Sequence, residues 1–342
     1  MYISQAYKGL HDWWRYIVGV IIALGGIFAF SMPHMVAIAL KMLREGIDES
    51  KMNDVNYIMT LFEPNLNLVF VLLPFLGGLI FLLFAVKLLH KLPIVNLTTS
   101  RVNIDWRRVF FSFFFWGIIS SAMVLIDYAL APEDYLYNFQ LNKFIILAVI
   151  AIVLVPFQTS FEEYMFRGYL MQGIGVIAKN KWLPLVLTSV IFGGLHIANP
   201  EVEKLGYIIM VYYIGTGLFL GVITLMDEGM ELALGFHAAN NLFTALLVTA
   251  DWTAFQTDSI LKDVADPGVA GLTDIFIPVF VVFPILLFIF SKKYKWTNWK
   301  EKLTGPVYNS YTEPSLNAIN NNTIESLNLD IHDNQDQNSD IR

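Results

Sequence analysis

The sequence contains no cysteine among its 342 residues, which excludes disulfides, thiolate metal sites and a cysteine nucleophile but says little about the redox compartment. Charge is scarce as well. Asp, Glu, Lys and Arg make up 15% of the chain, against about 25% in a soluble domain, while 56% is hydrophobic and the mean hydropathy is +0.56. That balance makes the lipid bilayer the solvent and first partner. The apolar runs are continuous rather than alternating, which gives a strand barrel poor support. The formal charge of −7 is concentrated in a few loops and the C-terminal stretch, so it argues neither for nor against a basic partner. No nucleic-acid signature appears.

What is present is a series of apolar runs of about 18 residues or more, each long enough to cross roughly 30 Å of hydrocarbon as a helix. They fall at 14–40, 66–89, 109–131, 143–177, 182–198, 205–226, 230–250 and 272–291. This predicts an all-α, polytopic membrane protein with about eight transmembrane helices. The first run follows Lys8 and Arg15, is too long for a signal peptide and precedes no small-residue cleavage site, so it reads as a signal anchor.

Lys and Arg in short loops are retained on the cytoplasmic side. With the N-terminus inside, Lys87, Lys91, Arg101, Arg107, Arg108, Lys179, Lys181 and the group Lys292, Lys293, Lys295, Lys300 and Lys302 are all cytoplasmic. Lys41, Arg44, Lys51, Lys143, Lys204 and Lys262 face the other side. Both termini are then cytoplasmic, and the protein is integral to the plasma (inner) membrane. The loop with Asp227 and Glu228 is an exception, being cytoplasmic in this scheme without a basic residue of its own. Residues 1–302 are predicted as the helical domain, with the polar motifs within 140–250. Residues 303–342, rich in Asn, Ser and Asp, are predicted as a polar, disordered tail. No internal repeat supports an inverted-repeat transporter.

A charge at the bilayer centre costs about 2.5–3.5 kcal/mol on insertion scales, so each one needs a partner, an aqueous cavity or a task. Glu162, Glu163 and Arg167 lie in Phe161-Glu-Glu-Tyr-Met-Phe-Arg-Gly168, His196 ends Phe192-Gly-Gly-Leu-His, and His237 lies in Gly235-Phe-His-Ala-Ala-Asn-Asn241. Four residues separate Glu163 from Arg167, which places them on one helix face as a pair. Glu162 is rotated by about 100° from Glu163 and is left as the candidate base. Pro156 is expected to kink the helix and make room beside the acids. His237 and Asn241 repeat the four-residue spacing, and both can donate to an oxyanion. Asn240, at i+3, could reach the same side, so helical geometry leaves the two asparagines open.

Blander readings exist for each group. Glu163 and Arg167 could be an ordinary pair at a helix end, and a lone histidine in an apolar helix usually packs against a carbonyl. Three such helices in succession are explained more simply by mutual compensation around one cavity. Phe111, Phe113, Phe114, Phe115 and Trp116 read as lipid-facing or packing residues, with no chemistry assigned.

Three chemistries fit the constellation. Ser160 lies near the acids but lacks a serine-hydrolase context. Zinc could be held by Glu162, His196 and His237 from separate helices, although His-Glu-x-x-His is absent. In the third, Glu162 helped by His196 takes a proton from water while His237 and Asn241 stabilise the oxyanion. No cofactor is then expected.

The ordered set Glu-Glu-x-x-x-Arg, Phe-x-x-x-His and His-x-x-x-Asn resembles the CPBP family of intramembrane proteases. That family includes the CAAX prenyl endopeptidases and bacterial relatives linked to bacteriocin processing or self-immunity. The resemblance covers roughly residues 140–250 and falls on Glu162, Glu163, Arg167, Phe192, His196, His237 and Asn241. It implies an all-helical membrane fold in which glutamate-activated water hydrolyses a peptide or protein substrate near the membrane, and it favours Asn241 over Asn240. The competing functions are a transporter or channel that uses the same buried ions, and a non-catalytic immunity protein with the same fold.

Overall fold

The computed structural model describes residues 1–266 and 272–309, apart from the side chains of residues 55 and 272–274. Eight main helices follow one another: α1 Trp13–Glu45, α2 Pro64–His90, α3 Trp106–Leu130, α4 Leu141–Ala178, α5 Trp182–Ala198, α6 Tyr207–Asp227, α7 Glu231–Leu247 and α8 Ile275–Tyr294. Among the described residues, α1, α2, α3, α4, α6 and α8 are long and apolar enough to cross a membrane. The other two expected spans fall short. The last turn of α5 tightens into a 3-10 turn at Leu195–Ala198, ahead of Pro200, and α7 has 17 residues, several of them the polar ones singled out above.

The loops nonetheless fall into two sets, as alternate crossings require. At one end, Leu10 N–H donates to His90 O at 2.7 Å, Met230 N–H to Thr98 O at 2.9 Å, Lys302 Nζ to Met226 O at 2.8 Å and Val307 N–H to Lys179 O at 3.1 Å. At the other, Asn65 Nδ2 donates to Asp258 Oδ2 at 3.1 Å and Ala254 N–H to Glu201 Oε1 at 2.8 Å. A small sheet, β1 Tyr135–Tyr137, β2 Val248–Thr249 and β3 Leu261–Asp263 in the order β1-β3-β2, caps this second end. The two short helices α5 and α7 therefore also run from one end of the bundle to the other.

The even-numbered helices share a stop signal. α2, α4, α6 and α8 each end at a charged residue in the left-handed conformation, at Lys91, Lys179, Glu228 and Lys295. A side chain in that region is strained relative to glycine, and a lysine there also meets the negative end of the helix dipole.

Asp227 and Glu228, the loop without a basic residue of its own, receive cations from neighbouring segments at the same end of the bundle. Asp227 pairs with Arg101 at 3.0 Å and Arg108 at 2.5 Å, and Lys302 Nζ lies 3.8 Å from Glu228.

Helices α1 and α2 make the most extensive contact, around Gly26 and Gly77, where a methyl group on either residue would run into the backbone carbonyl of the other. Small residues allow such close approach where lipid supplies no hydrophobic drive between helices. Two aromatic-rich cores then form. One gathers Phe219, Phe236 and Phe283 from α6, α7 and α8; the other gathers Leu82, Phe161, Phe166 and Phe192 from α2, α4 and α5. The polar motifs lie along the seam between them.

The first residues of the predicted tail are ordered. Residues 303–309 stay packed against the bundle, with Val307 buried and Asn180 bridged to Pro306. The remainder of that prediction, from residue 310, lies outside the described residues.

Candidate active site

Helix α4 carries the acids. It remains α-helical from Leu141 to Glu163, straight through Pro156, and then widens into a π-helical stretch at Tyr164–Leu170. The departure from α-helical register thus comes just after Glu163, two turns beyond Pro156. Such wide turns concentrate at functional sites, because they shift side chains off the α-helical register.

Within the π turn Arg167 donates from Nη1 to Glu163 Oε1 at 2.9 Å, across the i,i+4 spacing, and from Nη2 to Gly217 O of α6 at 3.3 Å. Its guanidinium lies 4.3 Å above the Phe192 ring. Glu163 and Arg167 are 0% and 1% exposed. Desolvation consumes much of the Coulomb attraction in a buried pair of this kind, so the hydrogen bonds that Arg167 makes to Glu163 Oε1 and Gly217 O are needed to hold it.

His237 of α7 joins this pair. Its Nδ1 lies 2.7 Å from Glu163 Oε1, and its Nε2 lies 3.3 Å from Glu162 Oε2, close but outside hydrogen-bond alignment. Glu163 Oε1 already accepts from Arg167, so it acts as an acceptor and His237 Nδ1 carries a proton toward it. That leaves Nε2 and Glu162 Oε2 facing each other, and one of them must be protonated for the contact to be attractive. The arrangement is a carboxylate–imidazole–carboxylate chain anchored by an arginine.

Asn241 lies one turn further along α7 and donates from Nδ2 to Oε1 of Gln158 at 3.0 Å. Gln158 is one turn before Glu162, so two successive turns of α4 face two successive turns of α7. Asn240 points elsewhere: Trp116 of α3 donates from Nε1 to its Oδ1 at 3.1 Å, and its Nδ2 donates to Asn241 Oδ1 at 3.2 Å. Trp116, read from sequence as a packing aromatic, is buried and does use its polar atom.

His196 makes none of the direct contacts expected with Glu162. Its Nδ1 meets Phe192 O at 2.8 Å, its ring stacks on Tyr213 at 4.3 Å, and the Phe192 ring lies between it and His237, at 4.9 and 6.0 Å. A carbonyl can only accept, so Nδ1 holds a proton, and in the neutral tautomer Nε2 is the acceptor. Glu201, five residues on, is half-buried. Burial pushes its carboxyl above the ordinary glutamate value, while the Ala254 amide and His196 act in the opposite direction.

The zinc alternative fits this geometry poorly. Among the described residues no three His, Asp or Glu side chains are spaced to hold a metal ion. Of the proposed trio, His196 stands apart from Glu162 and His237, which face each other directly.

Residues 141–243 match the family model of type II CAAX prenyl endopeptidases described as Rce1-like. Over a longer stretch, the chain is 30% identical across 251 residues to a Bacillus subtilis (strain 168) protein described as "Uncharacterized protein YyaK", covering 71% of this chain and 80% of that one. This chain belongs to the Rce1-like family. It is accordingly an integral membrane protein of a membrane-protease family, and no solved structure matches it. The Rce1-like segment takes in Glu162, Glu163, Arg167, His196, His237 and Asn241, together with Gln158. Trp116 lies outside it. Gln158 carries no role in the sequence reading, and Trp116 only a packing one; the signal for Gln158 is its position one turn before Glu162 on the same helix face.

Proposed function

We propose that the protein is a membrane-embedded endopeptidase that hydrolyses a peptide bond of a membrane-proximal peptide or protein with water activated by Glu162. The observation that carries this reading is the meeting of the buried side chains of Glu162, Glu163 and His237 within the Rce1-like segment. Structural pairing accounts for Glu163, which has Arg167. Glu162 has no Lys or Arg of its own: its Oε2, buried without a hydrogen bond as Glu163 Oε2 also is, faces only His237 Nε2 at 3.3 Å.

In the proposed reaction Glu162 takes a proton from water as the water oxygen attacks the scissile carbonyl carbon. His196 contributes an acceptor through its free Nε2. The developing oxyanion takes the place of Glu162 opposite His237 Nε2–H and accepts a second hydrogen bond from Asn241 Nδ2. Glu163, held by Arg167, orients the imidazole and supports its positive charge. The C–N bond then breaks as the leaving amine takes the proton from Glu162. No step requires a cofactor.

The distribution of Lys and Arg between the two loop sets supports a cytoplasmic placement of both termini in the plasma membrane. Substrate trapping with Glu162→Gln in native membranes tests the function: captured peptides that wild-type protein cleaves support it. Wild-type protein that releases no fragments from the captured species contradicts it.

A further inference from the structure

The hydrogen bonds that link α3, α7 and α4 have a fixed direction. An indole N–H can donate and never accept. Trp116 Nε1, 3.1 Å from Asn240, therefore obliges Asn240 to present its oxygen, which turns its Nδ2 toward Asn241. At 3.2 Å that Nδ2 requires Asn241 to present its own oxygen in turn, and Asn241 Nδ2 is left facing Gln158 Oε1 at 3.0 Å. One donor-only side chain thus sets the orientation of two amides in series.

The starting point of the chain is rigid. Trp116 is buried, and its ring packs on Phe236, the residue before His237, at 4.7 Å between centroids. The orientation matters because an amide presents opposite polarity at its two ends. Asn241 Nδ2 carries two hydrogens, one used by Gln158 and the other free for a developing negative charge. A flipped Asn241 would direct an oxygen lone pair at that charge.

We propose that Trp116 and Asn240 are positioning residues that hold the Asn241 amide as a hydrogen-bond donor toward the tetrahedral intermediate. This inference rests on the peptidase reading given above. It assigns a role in the reaction to α3, a helix outside the segment that matches the family.

The test uses full-length protein in nanodiscs and, as probe, the quenched fluorescent peptide that the wild type cleaves fastest from a random-sequence library. Trp116→Phe keeps the ring and removes the donor. Asn240→Asp still accepts the indole N–H but offers Asn241 a carboxylate oxygen, which forces its amide to turn. Each substitution is expected to lower kcat about tenfold, within the range for loss of a partner that orients a catalytic group, and to leave KM within about twofold. In an Asn241→Ala background, Trp116→Phe is expected to cause no further loss, because the relay has nothing left to orient.

Two results overturn the inference while leaving the peptidase reading intact: both substitutions keep kcat within about twofold, or Trp116→Phe costs the same factor with and without Asn241. Should Trp116→Phe not fold, Asn240→Asp alone decides on the same kcat criterion. A wild-type protein that cleaves no peptide, or a Glu162→Gln variant that cleaves at the wild-type rate, overturns the peptidase reading and this inference with it.

Discussion

Glu163 Oε1 accepts the Nδ1 proton of His237 at 2.7 Å, and the same oxygen accepts Arg167 Nη1 at 2.9 Å. A single carboxylate oxygen therefore ties the π turn of α4 to α7. Replacing it with a neutral amide weakens both bonds at once. Glu163→Gln is expected to reduce hydrolysis about 10–100-fold, as for loss of a group that orients a functional histidine. It is also expected to lower the thermal midpoint in detergent, because Arg167 is left buried without a counter-ion. Unchanged stability would show that Arg167 has another partner.

Arg167 gives the complementary experiment. Arg167→Met preserves much of the side-chain volume but strips Glu163 of its cation and Phe192 of the guanidinium above its ring. Breaking a buried pair in this way costs about 3–5 kcal/mol, read by chemical unfolding in detergent. The double variant Arg167→Met with Glu163→Leu removes both charges and is expected to recover most of that loss. A double variant as unstable as the single one would contradict the pairing.

Gly235 lies two residues before His237, at the contact between α7 and α3, where an added methyl group would collide with the Val109 carbonyl. Gly235→Ala must push the two helices apart, with an expected cost of about 1–3 kcal/mol. It should also stretch the Trp116 to Asn240 bond. Trp116 fluorescence read against a Trp116→Phe blank would shift on Gly235→Ala, and an unshifted spectrum with full stability would argue that the helices pack less tightly than described.

Glu201 links pH to stability. Burial raises its carboxyl above the ordinary glutamate value, so the folded state binds that proton more readily than the unfolded chain. The stability associated with the neutral carboxyl is present at low pH and declines as pH rises from the ordinary glutamate range through the raised folded value. Gln can still accept from the Ala254 amide without a buried charge. Glu201→Gln should therefore raise the thermal midpoint at about pH 7 and make little difference near pH 4. A lower midpoint at pH 7 would contradict it.

Much of the fold was legible because each crossing is written locally. An apolar run of sufficient length has few alternatives to a helix in lipid, and the spacing of Glu163 and Arg167 already places them together. What escaped were relationships between helices. Nothing in the spacing of α4 shows that its register widens at Tyr164, or that His237, rather than His196, faces Glu162. Trp116 looked like one more aromatic in a Phe-rich run, and its single polar atom acquires meaning through Asn240 on another helix. The packed stretch at 303–309 escaped for the same reason: its polar composition suggests solvent, but Val307 meets the backbone of Lys179.

In the proposed mechanism Glu162 activates water while Glu163 holds His237 and Arg167 in place. The most direct test compares Glu162→Gln with wild type in nanodiscs, reading hydrolysis of the library-selected peptide and the thermal midpoint on the same preparations. The account predicts a loss of hydrolysis of about a thousandfold or more, in keeping with removal of a group required for proton transfer and water activation, with the midpoint unchanged or higher because an unpartnered buried oxygen has been neutralised. Hydrolysis at the wild-type rate, from a variant that is folded and stable, would contradict it.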